Sequence, residues 1–289
     1  MTSLEEPQSH FYQSHRLRLH YVVWGEGNGP PLLLIHGMKD HARSWDFVAQ
    51  ALKDRYTIYA PDLRGHGDSQ WAVGGLYGLS ECVLDMAVLA DMIEGPLTIM
   101  GHSRGGGVGL VYAGTFPERV AKLVAVEGLG PLLPWAQGRL ESHQGHASMR
   151  RWIGAMRRME QRKPRRYATL EEATQRLMDE HPDLKPELAR HSAHHGTRRN
   201  EDGTYLWKFD SDMRPYTSNP QEAQAIAANI QAPVLLVNGS QSWGSQPEWQ
   251  AREQMIPNRR SVTIEGAGHW VYQDQLPRFL EVVTEFLKE

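Results

Sequence analysis

The sequence has little of several features that would mark a secreted or membrane protein. Cys82 is the only cysteine among 289 residues, so no intrachain disulfide can form and a reducing, cytoplasmic compartment is expected. The opening segment MTSLEEPQSH lacks the basic and apolar regions of a secretory signal, and no apolar run approaches the about 18 residues of a membrane span. The net charge of −3 gives no reason to expect nucleic acid or an anionic membrane as a partner.

The chain does have the composition and the hydrophobic pattern of a folded globular protein. Its hydrophobic fraction is 40% and its charged fraction is 22%. Short runs of branched apolar residues alternate with segments of helical period, which predicts an α/β fold with a mostly parallel sheet covered by helices on both faces. The predicted strands are PLLLIHG (31–37), YTIYAPD (56–62), PLTIMGHS (96–103), VAKLVAVEG (120–128), APVLLVNG (232–239) and RSVTIEG (260–266). LRLHYVVWG (17–25) alternates more strictly and predicts a leading antiparallel hairpin or edge strand.

The alternation of strands and helices stops in the middle of the chain. Between residues 130 and 220, helical pattern and polar residues dominate and buried strands are lacking. We therefore predict a core domain of residues 1–129 and 221–289, with residues 130–220 inserted into it as a helical cap.

Three histidines of this insertion raise the question of a metal site. His191, His194 and His195 are spaced i, i+3 and i+4, but no H-E-x-x-H sequence accompanies them. We interpret them as a solvent-exposed helix face, and we expect neither a metal nor another cofactor.

The sequence GHSRGGG directly follows a predicted buried strand and opens a predicted helix. G-x-S-x-G in this setting places Ser103 on a sharp strand-to-helix turn that holds its hydroxyl above the sheet. The free N–H groups at the helix start stabilise developing negative charge, so the Arg104 N–H is a candidate oxyanion donor. The loop after the PLLLI strand predicts a second donor, the Met38 N–H. The neighbouring His36 is interpreted as a structural hydrogen-bonding residue.

A serine hydroxyl needs a neighbouring base, and histidine has a pKa suited to that task. Of the 14 histidines, His269 lies in a glycine-rich loop between the last predicted strand and the last predicted helix. This position places it at the same sheet edge as Ser103. His269 is therefore the predicted general base.

Four segments, in this order and spacing, resemble the α/β-hydrolase superfamily: HGMKDHARSWD, APDLRGHGDS, GHSRGG and GAGHW. The resemblance covers the sheet domain on both sides of the insertion, whose position is similar to that of the family's cap. VAVEGLGP and HGTRRNEDGTYLWKFDSDMR look most like the capped serine hydrolase-like group. Epoxide hydrolases and haloalkane dehalogenases share the architecture but use an aspartate nucleophile, so Ser103 argues against both activities.

The resemblance also implies where the third catalytic residue should be. The family most often places an acid in the loop after the strand at 232–239, but here that position is about Ser242. Some members instead carry the acid at the end of the strand next to that of the nucleophile, and Glu127 stands there. A carboxylate closing an apolar strand is costly to bury without a partner, which favours a specific role. Glu127 is the predicted acid, and Glu248, Asp210 and Asp212 remain alternatives.

These residues predict an enzyme that hydrolyses carboxylic esters, with a small acyl ester as substrate. Thioester or carbon–carbon bond hydrolysis by the same residues is an alternative, as is a non-catalytic ligand-binding scaffold. Trp207, Trp243 and Trp270 are candidate walls of the substrate pocket. The sequence does not indicate an oligomeric state.

Overall fold

The computed structural model describes residues 4–75, 77–130, 163–181, 184–211 and 220–289, together with the helical residues 150, 153, 154 and 157. The side chains of residues 220, 221, 223, 245 and 248 are not described. Much of the first half of the predicted cap, and Asp212, therefore lie outside the described residues.

The described chain contains ten β-strands, eight of them in one large sheet. They are β1 (Gln8–Ser14), β2 (Leu17–Trp24), β3 (Pro31–Ile35), β4 (Thr57–Pro61), β5 (Leu97–His102), β6 (Val120–Val126), β7 (Thr197–Arg199), β8 (Tyr205–Trp207), β9 (Val234–Gly239) and β10 (Arg259–Ile264). The large sheet has the order β1-β2-β4-β3-β5-β6-β9-β10. β2 is antiparallel to both neighbours, and all other adjacent strands are parallel.

The register of the central strands brings their carboxyl ends to one edge. Ile35 pairs with Gly101, and His102 pairs with Val126, which in turn pairs with Val237. The loops that follow β3, β5, β6 and β9 therefore emerge side by side, where an open α/β sheet typically binds its ligand.

Helices connect the strands and cover both faces of the sheet. They are α1 (Asp46–Leu52), α2 (Leu79–Asp91), α3 (Arg104–Thr115), α4 (Leu170–Glu180), α5 (Pro186–Gly196), α6 (Pro220–Ala228), α7 (Pro247–Glu253), α8 (Val271–Asp274) and α9 (Leu276–Lys288). In the part of the chain that the structure describes, none of the helices combines the length and apolar character needed to cross a bilayer.

The apolar strands contribute to two hydrophobic cores, one on each face of the sheet. Successive strand residues point to opposite faces, so Leu33 packs into the core beneath α2 and α3 while Leu34 packs into the other. In β9, Leu236 packs into the core beneath α2 and α3, and Leu235 packs into the core on the other face. Burying each such side chain contributes about 1.5–3 kcal/mol, which explains why a sheet covered on both faces has nearly continuous apolar strands.

The predicted core strands and the leading hairpin are confirmed, and the solitary Cys82 is buried in α2. The insertion, which the sequence predicts to be helical and without buried strands, contains two short and mostly unburied strands. β7 and β8 form a two-stranded antiparallel sheet there, closed by a turn in which the Asn200 N–H donates to the Thr204 carbonyl at 2.7 Å. Each strand has only three residues, too few for a period of two to be recognised in the sequence.

Candidate active site

Ser103 occupies a strained turn between β5 and α3. Its φ of 51° and ψ of −112° lie in a region that side chains rarely adopt. The turn is held by two backbone hydrogen bonds, from the Ser103 N–H to the Val126 carbonyl at 2.8 Å and from the Gly107 N–H to the Ser103 carbonyl at 3.1 Å. Among the described residues, the Ser103 hydroxyl makes no hydrogen bond, and the side chain is half-buried.

Two glycines allow α3 to begin directly against the ends of the strands. A Cβ added to Gly105 would lie 2.1 Å from the Ile35 carbonyl oxygen, and one added to Gly101 would lie 2.3 Å from the Gly105 carbonyl oxygen. Backbone atoms cannot move aside as a flexible side chain could, so both positions require glycine. The close approach places the start of α3, and Ser103 with it, at the ends of β3 and β5.

The loop after β3 lies beside Ser103 and is held by hydrogen bonds to His36. The Leu63 N–H donates to His36 Nε2 at 2.9 Å, so the ring proton is on Nδ1, which donates to the Gly37 carbonyl at 2.6 Å. Because the carbonyl and the following N–H of a trans peptide point in opposite directions, the Met38 N–H is directed away from His36. A Cβ on Gly37 would lie 3.3 Å from Ser103 Cβ, so this peptide is next to the nucleophile. His36 has the structural role expected.

His66 holds the next residue of the same loop. The Lys39 N–H donates to His66 Nε2 at 3.1 Å, and Lys39 has a φ of 61°. His66 Nδ1 lies 3.0 Å from the Arg64 carbonyl, to which it donates. Burial, together with the nearby His36, lowers the pKa of His66 well below its usual range. A neutral His66 can therefore accept the Lys39 hydrogen bond and keep the loop in place.

Arg104 follows Ser103 as the first residue of α3. The first N–H groups of a helix have no partner within it, so the Arg104 N–H is free to donate to an oxyanion. Its guanidinium extends away and donates to the carbonyls of Tyr77 and Gly78. These contacts fix the segment on which the N–H lies.

The loop after β10 brings His269 to the same edge of the sheet. His102, the residue before Ser103, donates from Nε2 to the His269 carbonyl at 2.8 Å, and the two rings lie 4.7 Å apart. Burial and the neighbouring His269 lower the pKa of His102 well below its usual range, so its ring stays neutral. The nucleophile's strand therefore anchors the backbone of the predicted base.

The structure brings Glu127 to His269. Glu127 Oε2 lies 3.5 Å from His269 Nδ1, and the glutamate side chain is fully buried. Glu127 has a φ of 50°, a second strained position at the end of a strand. The separation is longer than the about 2.7–3.2 Å of an ordinary hydrogen bond, but catalytic contacts often shorten only when substrate binds.

Ser242 and Gly239 also hydrogen-bond to this carboxylate. The Gly239 N–H donates to Glu127 Oε1 and the Ser242 hydroxyl to Oε2, each at 2.7 Å. Ser242 therefore contacts the oxygen that faces His269 and is not among the residues that line the neighbouring cavity. Ser242 thus helps to satisfy the buried charge of Glu127, which needs such donors.

The alternative acids have different positions. The Asp210 carboxylate accepts a hydrogen bond from the Tyr77 hydroxyl. The backbone N–H of Asp210 donates to the Gly65 carbonyl at 2.8 Å. Asp212 and the side chain of Glu248 lie outside the described residues. Glu127 is thus the predicted acid that contacts His269 in the structure.

A cavity of about 560 Å³ opens beside His269, between the sheet edge and the described part of the insertion. Met38, His269 and Trp270 line it from the core, and Trp207 lines it from the insertion, but Ser103 is not among its lining residues. Trp243 does not line the cavity either. Its ring instead packs against His269 with 4.4 Å between centroids and remains 40% exposed.

Two of the three insertion histidines contradict the prediction of a solvent-exposed face. His191 Nε2 lies 3.2 Å from Asp46 Oδ2 of the core, and its side chain is 15% exposed. Burial, with the nearby Arg43, lowers the pKa of His195 to about 3. His194 alone is exposed. The spacing correctly places His191 and His195 on one face of α5, but that face packs against the core instead of facing solvent.

Comparison with known proteins places the chain in a family. The family model for the alpha/beta hydrolase fold matches residues 30–275, and the chain belongs to this family. A human serine hydrolase-like protein is 27% identical across 92% of this chain and 89% of its own length. An esterase of Mycobacterium tuberculosis is 28% identical across 91% of this chain and 84% of its own length.

Two further comparisons show how far the similarity extends. An uncharacterized protein of Mycobacterium tuberculosis is 39% identical over 106 residues, but the match spans only 36% of this chain and 30% of that protein. The solved thioesterase domain from the curacin biosynthetic pathway has a TM-score of 0.81 at 22% identity, with 97% of this chain and all of that domain covered. The structural likeness supports the α/β-hydrolase fold.

Proposed function

We propose that this protein is a serine hydrolase that cleaves carboxylic esters through an acyl-enzyme intermediate. The observation that carries the proposal is the buried Glu127 beside His269, at the edge of the sheet where Ser103 stands on a strained turn. The three residues follow β6, β10 and β5, and a buried carboxylate beside an imidazole at the ends of these strands supports a catalytic role.

In the first half of the reaction, the Ser103 hydroxyl attacks the acyl carbonyl while His269 Nε2 takes its proton. Glu127 stabilises the imidazolium that results and holds His269 Nδ1 in its protonated form. The Met38 and Arg104 N–H groups donate to the oxyanion of the tetrahedral intermediate. His269 then returns the proton to the alkoxy oxygen, and the alcohol leaves.

In the second half, water enters and loses a proton to His269 as it attacks the Ser103 ester. The second tetrahedral intermediate uses the same two N–H donors. Its collapse returns the proton to Ser103 and releases the carboxylic acid. Every proton moves between Ser103, His269 and the reactants, so no cofactor is required.

The esterase relative supports an ester substrate, because it is similar over most of both chains. The cavity beside His269 also has a volume in the range of small-molecule sites, about 300–1,000 Å³. Thioesters and activated carbon–carbon bonds require the same nucleophile and base, so we treat them as competing substrates of one site rather than as separate mechanisms.

The test is hydrolysis of a panel of p-nitrophenyl esters and matched acyl thioesters of graded chain length. Wild-type protein should hydrolyse at least one oxygen ester, and Ser103→Ala should abolish that activity. Ser240→Ala is the matched control, because Ser240 is a nearby hydroxyl that bonds Glu265 at the surface. Undiminished ester hydrolysis by Ser103→Ala would refute the proposal, and activity on thioesters alone would replace esters as the substrate class.

A further inference from the structure

Three side chains that commonly bind metals meet where the core contacts the insertion, away from the proposed triad. Asp46 begins α1 and is 1% exposed. His191 and His195 lie one turn apart on α5, so both imidazoles project from the same face of that helix. One ligand atom from each residue lies within 4.8 Å of the other two.

We propose that Asp46, His191 and His195 form a binding site for a divalent transition metal ion of the zinc type. Zinc binds imidazole nitrogen and carboxylate oxygen at about 2.0–2.2 Å in a tetrahedral arrangement. Two ligand atoms of such an ion are about 3.3 Å apart. His191 Nε2 lies 3.2 Å from Asp46 Oδ2, close to that separation, and 3.1 Å from the Arg43 carbonyl, so the ion would replace the ring proton that these oxygens accept.

The third ligand needs only a side-chain movement. His195 lies one helical turn from His191, and their ring centroids are 4.6 Å apart. Rotation about its side-chain bonds can bring a ring nitrogen to the same ion, while water supplies the fourth position. Two imidazoles and one carboxylate are a ligand set typical of zinc, cobalt or nickel rather than of magnesium or calcium.

Arg43 holds the carboxylate in place but also opposes the cation. Its Nε donates to Asp46 Oδ1 and Oδ2 at 2.9 Å, and one terminal nitrogen lies 2.8 Å from Oδ2. Hydrogen bonds of this kind orient carboxylate ligands in metal sites. The guanidinium charge repels a bound ion, so Arg43→Gln should bind the metal more tightly than wild type.

A metal at this site would join the insertion to the core next to the cavity. Asp46 belongs to the core, and both histidines belong to α5. The Ser192 carbonyl of α5 accepts from His41 Nε2 at 3.1 Å, and both residues line the cavity. The ion would therefore restrain one wall of the cavity without contacting His269. This inference does not depend on the reaction proposed above.

The experiment measures binding of Zn²⁺ to the EDTA-treated full-length protein by calorimetry, and of Co²⁺ by its visible absorption. Wild type should bind one ion, with a Co²⁺ spectrum of tetrahedral type and a raised Tm. His191→Ala and His195→Ala should each weaken Zn²⁺ binding by at least about tenfold. His194→Ala is the matched control, since His194 is exposed on the same helix and should leave binding unchanged.

Two further variants keep the result decisive. His269→Ala should retain the ion, which separates this site from binding at the proposed base. Circular dichroism of His191→Ala and His195→Ala in EDTA, compared with that of wild type, shows whether a loss of binding reflects a loss of folding, and His195→Gln should bind Zn²⁺ as weakly as His195→Ala. No binding by folded wild type, or equal losses in His194→Ala and His195→Ala, would overturn the proposal.

Discussion

The Ser242 hydroxyl donates to Glu127 Oε2 at 2.7 Å, and the same oxygen lies 3.5 Å from His269 Nδ1. The loop after β9, where the family most often carries its acid, therefore contributes a hydrogen-bond donor to an acid that follows β6. Glu127 supplies the negative charge beside His269, and the Ser242 hydroxyl stabilises that charge by donating a hydrogen bond to it. Because of this contact, substitutions at positions 127 and 242 can test whether either loop can supply the charge beside His269.

Glu127→Gln should keep the fold and lower kcat for ester hydrolysis by about 10³–10⁴, because an amide cannot stabilise the His269 imidazolium. Glu253→Gln is the matched control. Glu253 is also buried and accepts two side-chain hydrogen bonds, from Asn238 and Ser261, each at 2.7 Å. Steady-state kinetics on both variants decide the matter, and a Glu127→Gln rate within about threefold of wild type would exclude Glu127 as the acid.

The double variant Glu127→Gln with Ser242→Asp should recover part of the activity that Glu127→Gln loses. The new carboxylate would arise in the loop whose hydroxyl already reaches Glu127 Oε2, so its charge lies close to His269 Nδ1. The measurement compares kcat of the double variant with that of Glu127→Gln. A rate no higher than that of Glu127→Gln would show that a carboxylate at position 242 cannot replace the carboxylate of Glu127.

Gly105→Ala should destabilise the protein by about 3 kcal/mol or more, because its Cβ would overlap the Ile35 carbonyl. Gly109→Ala on the same helix is the control. Its Cβ would meet only methyl groups of Leu123 and Ile99, at 3.0 and 3.1 Å, and alanine favours a helix. Urea denaturation gives both free energies of unfolding. Equal losses would contradict the close approach of α3 to the strand ends.

His66 should make the free energy of unfolding fall as pH falls below 6.5. The folded protein lowers the pKa of His66 well below 6.5 by burial, so below that pH the unfolded chain binds a proton that the folded chain does not. His66→Gln keeps an acceptor for the Lys39 N–H but cannot titrate. Urea denaturation at about pH 7.5 and about pH 5.5 should show a smaller loss in this variant. An unchanged loss would contradict a neutral, buried His66.

The sequence predicted the parts of the fold and site that depend on local pattern. Apolar runs located the core strands, and G-x-S-x-G between a strand and a helix located the turn at Ser103. The order of the strands in the sheet, which brings Glu127 and His269 together, was implied by the family resemblance rather than by periodicity.

Features that depend on long-range contacts were not predictable in the same way. Nothing near Ser242 in the sequence indicates that its hydroxyl bonds a residue 115 positions away. The spacing of His191 and His195 identifies a helix face but not what covers it, and Asp46 lies far from both in the chain. His102 was a predicted strand residue whose bond to the His269 carbonyl depends on the final packing.

The central claim is that His269 and Glu127 activate Ser103. Reaction with a fluorophosphonate, followed by mass spectrometry of the peptide that contains residue 103, measures this activation without knowledge of the physiological substrate. We predict labelling of Ser103 in wild type and much slower labelling in His269→Ala and Glu127→Gln. An unlabelled Ser103 in the folded wild type, as a non-catalytic binding scaffold would show, or equal labelling rates in all three proteins, would contradict the account.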